Sequence, residues 1–140
     1  MHLVITVFLQ ISWSDDMIAR INSGELGKDV AEAETQLQLH AERKAEIDGR
    51  NPHFDKIKEH GNKLIHDDHY AKEEVEKMLG QLDKTQKNLG SALKDRQHLL
   101  NQCRDFRVFQ DRADLAEAWL NSKEAFLTNE DLGVSLCVLS

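Results

Sequence analysis

Residues 114–133, DLAEAWLNSKEAFLTNEDLG, hold one of the two tryptophans of the chain, and residues 11–30, ISWSDDMIARINSGELGKDV, hold the other. Trp13 and Trp119 are 106 positions apart, and the same offset separates Leu26 from Leu132 and Gly27 from Gly133. The chain has only 140 residues. One offset found three times therefore implies a repeating unit of about that length, of which slightly more than one period is present. The period is too long for a solenoid repeat and suits a self-contained helical bundle in tandem.

Composition agrees with helices. Charged residues make up 31%, aromatics 6%, and there is a single proline. Ala, Leu, Glu, Lys, Gln and Arg dominate, as in long helices. A net charge of −7 and a pI near 5.4 argue against a nucleic-acid backbone as partner, which demands a basic face. Cys103 and Cys137 have neither metal-ligand spacing nor a disulfide framework, which points to a reducing compartment.

Two long helical seams are visible. The first runs Val30, Ala33, Leu37, His40, Lys44, Ile47, slips at Pro52, and resumes at Phe54, Ile57, Gly61 and Leu64. Proline lacks a backbone donor and clashes with the preceding turn, so a kink or break is expected there. The second runs Val75, Met78, Leu82, Thr85, Leu89, Ala92, Arg96, Leu99, Cys103 and Phe106, close to the 3.5-residue period of a bundle seam. It then drifts through Phe109, Ala113, Ala116, Trp119 and Leu120 to Leu127 without a stop signal. One helix over 71–127 is roughly 85 Å long. Its two halves must therefore serve different bundles. Asp67 or Asp68 is the expected cap of this helix, with Glu73 and Glu74 at the positive end of its dipole. The loop TNEDLG (128–133) is expected to end it, as NSGELG (22–27) ends the helix that contains Trp13.

Residues 1–12, MHLVITVFLQIS, stand apart. They are apolar and β-branched, too short to span a bilayer, and lack the basic start and cleavage site of a signal peptide. Their composition leans toward strand. The first helix is therefore expected to be truncated or atypical, leaving an apolar groove through which two copies could exchange helices.

Chemical motifs are sparse. His66 and His69 with Asp67 and Asp68 could hold a divalent ion, but a solvated loop with capping aspartates is the plainer reading. His53 and His60, seven apart, form a surface stripe, and His40 is a core or rim histidine. There is no nucleophile elbow and no phosphate loop. Lys44 and Arg96 sit on the seams, where their stems can lie on apolar surface while the charge reaches water. No catalytic, cofactor-binding or metal-binding residues are assigned, and no cofactor is expected. The residues of consequence are structural: Trp13, Trp119, Leu26, Leu132, Val75, Leu82, Leu89 and Phe106.

Residues 24–50 (GELGKDVAEAETQLQLHAERKAEIDGR), 67–79 (DDHYAKEEVEKML) and 114–133 together resemble a spectrin repeat. In that family the first helix carries a core tryptophan, the loop after it ends in acidic–Leu/Tyr–Gly, and a HYA loop precedes the third helix. Related repeats of dystrophin and α-actinin are generally longer, and the AEAW and NEDLG segments look most like an α-spectrin chain. The resemblance covers residues 13 to about 136. Two departures are the atypical segment before Trp13 and an end seven residues after Gly133, as in a fragment or a gene product with altered edges.

The resemblance implies an all-α, left-handed three-helix bundle whose third helix runs into the first helix of the next repeat. The expected segments are 1–12 (atypical), 13–105 (one repeat) and 106–140 (the start of the next). It also implies a non-enzymatic cytoskeletal spacer at the inner face of the plasma membrane. Such a chain pairs laterally with a complementary spectrin chain and reaches actin and membrane adaptors only through the full-length protein. No nucleic acid is expected, and a homodimer of these 140 residues is one outcome of the groove. The alternative is a helical-repeat binding module that docks an adaptor or partner helix, as plakin- and dystrophin-type arrays do. A third reading makes residues 1–12 the anchor of a secreted or tethered helical protein.

Overall fold

The structure, a computed structural model, describes residues 2–67 and 71–139, with residues 129–139 as backbone alone. Four helices follow one another: α1 (His2–Asn22), α2 (Val30–Gly49), α3 (Asn51–His66) and α4 (Lys72–Leu139). The last has 68 residues, about 100 Å at 1.5 Å rise per residue. Helices α2 and α3 form one broken rod antiparallel to α1 and α4, so the architecture is an all-α three-helix bundle with a helical extension.

The N-terminal segment is helical, not strand-like as its composition suggested. It forms the first half of α1, and Leu3, Val7, Gln10, Ser14, Met17 and Ile21 are buried along it. Their spacing alternates four and three residues, as a bundle seam requires. Two features hid this pattern. The seam itself contains Gln10 and Ser14, and Val4, Ile5, Phe8 and Leu9 are exposed outside it. The β-branched residues lower helix propensity only by tenths of a kcal/mol each, which burial of one face outweighs. With α1 in place the bundle has its third helix, and the groove that would have driven exchange between copies is filled.

The core has two parts. Leu3 and Val7 meet Phe54 and Ile57 of α3 and Val75 and Leu82 of α4. Farther along, Met17 and Ile21 meet Ile47 of α2 and Leu89 and Leu93 of α4, with Trp13 packed against them. Gln10 and Ser14 lie between the two groups on α1, and the Ser14 hydroxyl donates to the Gln10 carbonyl at 2.8 Å. This back-bonding satisfies the hydroxyl without a partner from another helix.

The break expected at Pro52 is present. Gly49 ends α2, Arg50 serves both ends, and proline occupies the first turn of α3, where its missing N–H would be unpaired in any case. At the far end Asp67 closes α3, its N–H donating to the carbonyls of Ile65 and Lys63; it does not cap α4. Asp68, His69 and Tyr70 lie outside the described residues. Glu73 and Glu74 are in the first turn of α4, as expected.

The seam of α4 also shifts. Leu99 is 45% exposed and Leu100 1%, so the buried face runs Leu89, Leu93, Arg96, Leu100 and not through Leu99. A straight helix drifts about 20° per heptad against a 3.5 repeat. The partners of α4 also change where α1 ends.

Gly27 has a φ of 116°, and a Cβ there would stand 2.6 Å from the backbone nitrogen of Ala33. Gly80 is helical, exposed and open on every side. Gly27→Ala is expected to destabilise the bundle by at least about 1–3 kcal/mol, whereas Gly80→Ala should stabilise it by about 0.5–1 kcal/mol. Urea unfolding followed by circular dichroism measures both.

Candidate functional site: the junction where the bundle hands over to a free helix

Beyond α1 the chain turns through residues 23–29 and docks on α4. Asp29 starts α2, its carboxylate accepting from the Glu32 N–H at 2.8 Å, and Glu32 accepts in return from the Lys28 N–H at 2.8 Å. These reciprocal bonds satisfy donors that a helix start leaves open. The loop carbonyls are satisfied from α4. The Arg96 guanidinium donates to Gly24 at 3.0 Å and to Ser23 at 3.3 Å. Arg107 Nε donates to the Gly27 carbonyl at 3.1 Å, and the Cys103 thiol approaches the same oxygen at 3.5 Å. Arg96 is thus buried with its charge on backbone oxygens, where the sequence had suggested a charge reaching water. Lys44 is exposed and pairs with Asp48 at 2.9 Å.

Above this loop sits His40, 2% exposed. Burial holds its pKa below 6.5; a hydrogen bond with the Leu93 backbone opposes this, and Arg96, Arg43 and Lys44 reinforce it. Near the other end of the bundle Asp83 binds Lys87 at 3.0 Å and Lys58 at 3.2 Å. These bonds hold its carboxyl below the usual range.

Past Arg107 helix α4 leaves the bundle, and residues 109–128 are exposed throughout. Phe106 is 55% exposed and Trp119 59%, so neither belongs to the core of this bundle. The seam shift turns Arg107 inward in place of Phe106, while Trp119 lies on the stretch of α4 that the sequence reading gave to the following unit. Val75, Leu82 and Leu89 are buried, whereas Trp13 and Leu26 are half-buried. The Trp13 ring is capped by the Arg50 guanidinium at 4.6 Å, and Lys123 stands 5.7 Å from the Trp119 ring. Both arrangements are cation–π contacts.

The TNEDLG segment is not a loop. Its backbone stays helical to Leu139, and the side chains of Leu132 and the residues around it lie outside the described residues. The equivalent segment after Trp13 turns because Arg96, Cys103 and Arg107 hold its carbonyls; among the described residues nothing packs on 128–133 in the same way.

Among the described residues no group of three or more His, Cys, Asp or Glu side chains is placed to hold a metal ion. No described helix is long and apolar enough to cross a membrane.

An up-down-up bundle whose last helix leaves as a free rail is the architecture of a linearly repeating structural module. Residues 11–102 match the spectrin repeat, and the chain belongs to the spectrin repeat family, whose members are structural cytoskeletal repeats. It is 35% identical over 124 residues to the mouse (Mus musculus) protein "Spectrin alpha chain, erythrocytic 1", covering 89% of this chain and 5% of the relative. It is 30% identical over 123 residues to the mouse "Spectrin beta chain, erythrocytic", covering 88% and 6%. Against the Drosophila melanogaster "Spectrin beta chain" it is 30% identical over 121 residues, covering 86% and 5%. The chain therefore spans about one twentieth of the length of these relatives.

Two outcomes test the geometry. His40 has a folded pKa below its unfolded value, so the unfolded chain binds the extra proton. Stability is full above the ordinary histidine pKa of about 6.5 and falls as pH drops from there toward the lowered value. Denaturation midpoints at pH 7.5 and pH 5 should show this loss, and His40→Leu should flatten it. Trp119→Ala should change the stability of this chain by under about 0.5 kcal/mol, as an exposed substitution does. Trp13→Ala should cost about 2–3 kcal/mol, because a half-buried indole loses only part of the full core value.

Proposed function

We propose that the chain is one link of a spectrin-type array, in which α4 is both the last helix of one bundle and the first helix of the next. The observation that carries this is the match between two faces. The buried residues Leu3, Val7, Ser14 and Ile21 of α1 have Phe109, Ala113, Leu120 and Leu127 at the offset that relates the two tryptophans. The face that α1 buries is thus mirrored on α4 by a largely apolar stripe in which Phe109, Leu120 and Leu127 are exposed. A stripe of this kind, left bare on an otherwise charged helix, calls for a second set of helices. The function is mechanical. An unbroken helix fixes the angle between neighbouring bundles and carries tension from one to the next.

At the level of the whole protein, this reading extends to lateral pairing with a complementary spectrin chain, and to actin and membrane adaptors engaged by other parts of the molecule at the inner face of the plasma membrane. The similarity to relatives named as alpha and beta spectrin chains supports pairing of that type. An enzymatic role finds no support in a family built for structure.

Small-angle X-ray scattering tests the central element. A continuous α4 gives a maximum dimension of at least about 100 Å, the length of 68 helical residues. A particle near half that length would mean α4 bends back on the bundle, and the array reading would fall.

A further inference from the structure

Between α1 and α3 runs a groove of about 610 Å³ lined by Leu3, Leu9, Trp13 and Ile57 as its apolar part and by Arg50, His53, Lys56, His60 and His2 as its polar part, with Thr6 and Gln10 between. The volume lies in the range of small-molecule sites. Among the described residues no carboxylate lines it, although the chain as a whole carries a charge of −7. Arg50 and Lys56 form no ion pair among the described residues, Arg50 being held instead over the Trp13 ring at 4.6 Å. Gln10 is 5% exposed, and its side-chain Nε2, without a hydrogen-bond partner among the described residues, is closed to solvent and lies behind the groove wall.

From these observations we propose that the groove binds a single amphiphilic carboxylate of the fatty-acid class. The carboxylate lies against Lys56 and Arg50, and the chain lies on Leu3, Leu9, Trp13 and Ile57. Two independent features select this ligand. The apolar floor demands a hydrocarbon, and the cationic rim demands an anion. The volume admits one molecule, not the surface of a bilayer. The site is independent of the junction and of any role in an array, and its failure would leave both intact.

The test uses the 140-residue chain carrying Trp119→Phe, so that Trp13 is its only indole and reports on the groove. Laurate is titrated below its micellar concentration, with dodecanol and dodecyltrimethylammonium as controls of equal chain length. The expected result is saturable binding of laurate at one site, with a change in Trp13 emission. The neutral and cationic analogues should bind at least about tenfold more weakly. Lys56→Glu, an exposed position whose substitution leaves the melting temperature in place, should weaken laurate by about tenfold or more, as loss of a charge-assisted contact does. Equal binding of all three amphiphiles, indifference to Lys56→Glu, or no saturation would overturn the proposal. So would binding confined to phosphatidylserine vesicles, with none to monomeric laurate.

Discussion

The carbonyl oxygens of Ser23, Gly24 and Gly27 need donors, and the donors available are on α4. A chain that leaves a helix exposes backbone oxygens that must be satisfied by something. Here Arg96 and Arg107 supply charged N–H groups from one face of α4. That single docking event sets three things at once. It fixes where α1 stops, it places Gly27 in a conformation only glycine adopts freely, and it sets the register at which α2 begins its return along α4. The contrast with residues 128–133 supports this order of cause. The same kind of sequence, acidic–Leu–Gly, stays helical where no arginine pair receives it. Loop formation in this architecture is a tertiary decision more than a local one.

The second constraint is that α4 serves two neighbours along its length. Up to Leu100 its buried face is set by α1, α2 and α3; past Arg107 it has no partner among the described residues. A helix with one strict heptad seam would present the same face throughout. The shift from Leu99 to Leu100 and from Phe106 to Arg107 rotates the buried stripe. Phe106 and Phe109 are then free for whatever packs beyond. Rotation between successive packing faces is what lets neighbouring bundles in an array be wound relative to one another.

Most of the architecture could be read from residues alone. The 106-residue offset, the broken α2–α3 rod at Pro52 and the unbroken α4 all rest on patterns with a direct physical meaning. Other parts could not be read, for identifiable reasons. The helix in residues 2–12 was masked because apolar residues lie outside its seam while Gln10 and Ser14 lie within it. Phe106 was misplaced because a sequence seam counts period and not the drift of a real helix. The groove beside Trp13 could not be foreseen. His53 and His60 read as a surface stripe, and only the packing of α1 across α3 brings them to the edge of a cavity with Lys56 and Arg50.

The division of the core into two clusters has a consequence for shape. Gln10 and Ser14 interrupt the apolar packing on α1 at the level where Arg50, between α2 and α3, stacks on Trp13. Two of the three rods are thus weakened in the same neighbourhood. A beam with two stiff ends and a softer waist flexes at the waist, so bending is favoured within this bundle rather than along the unbroken α4.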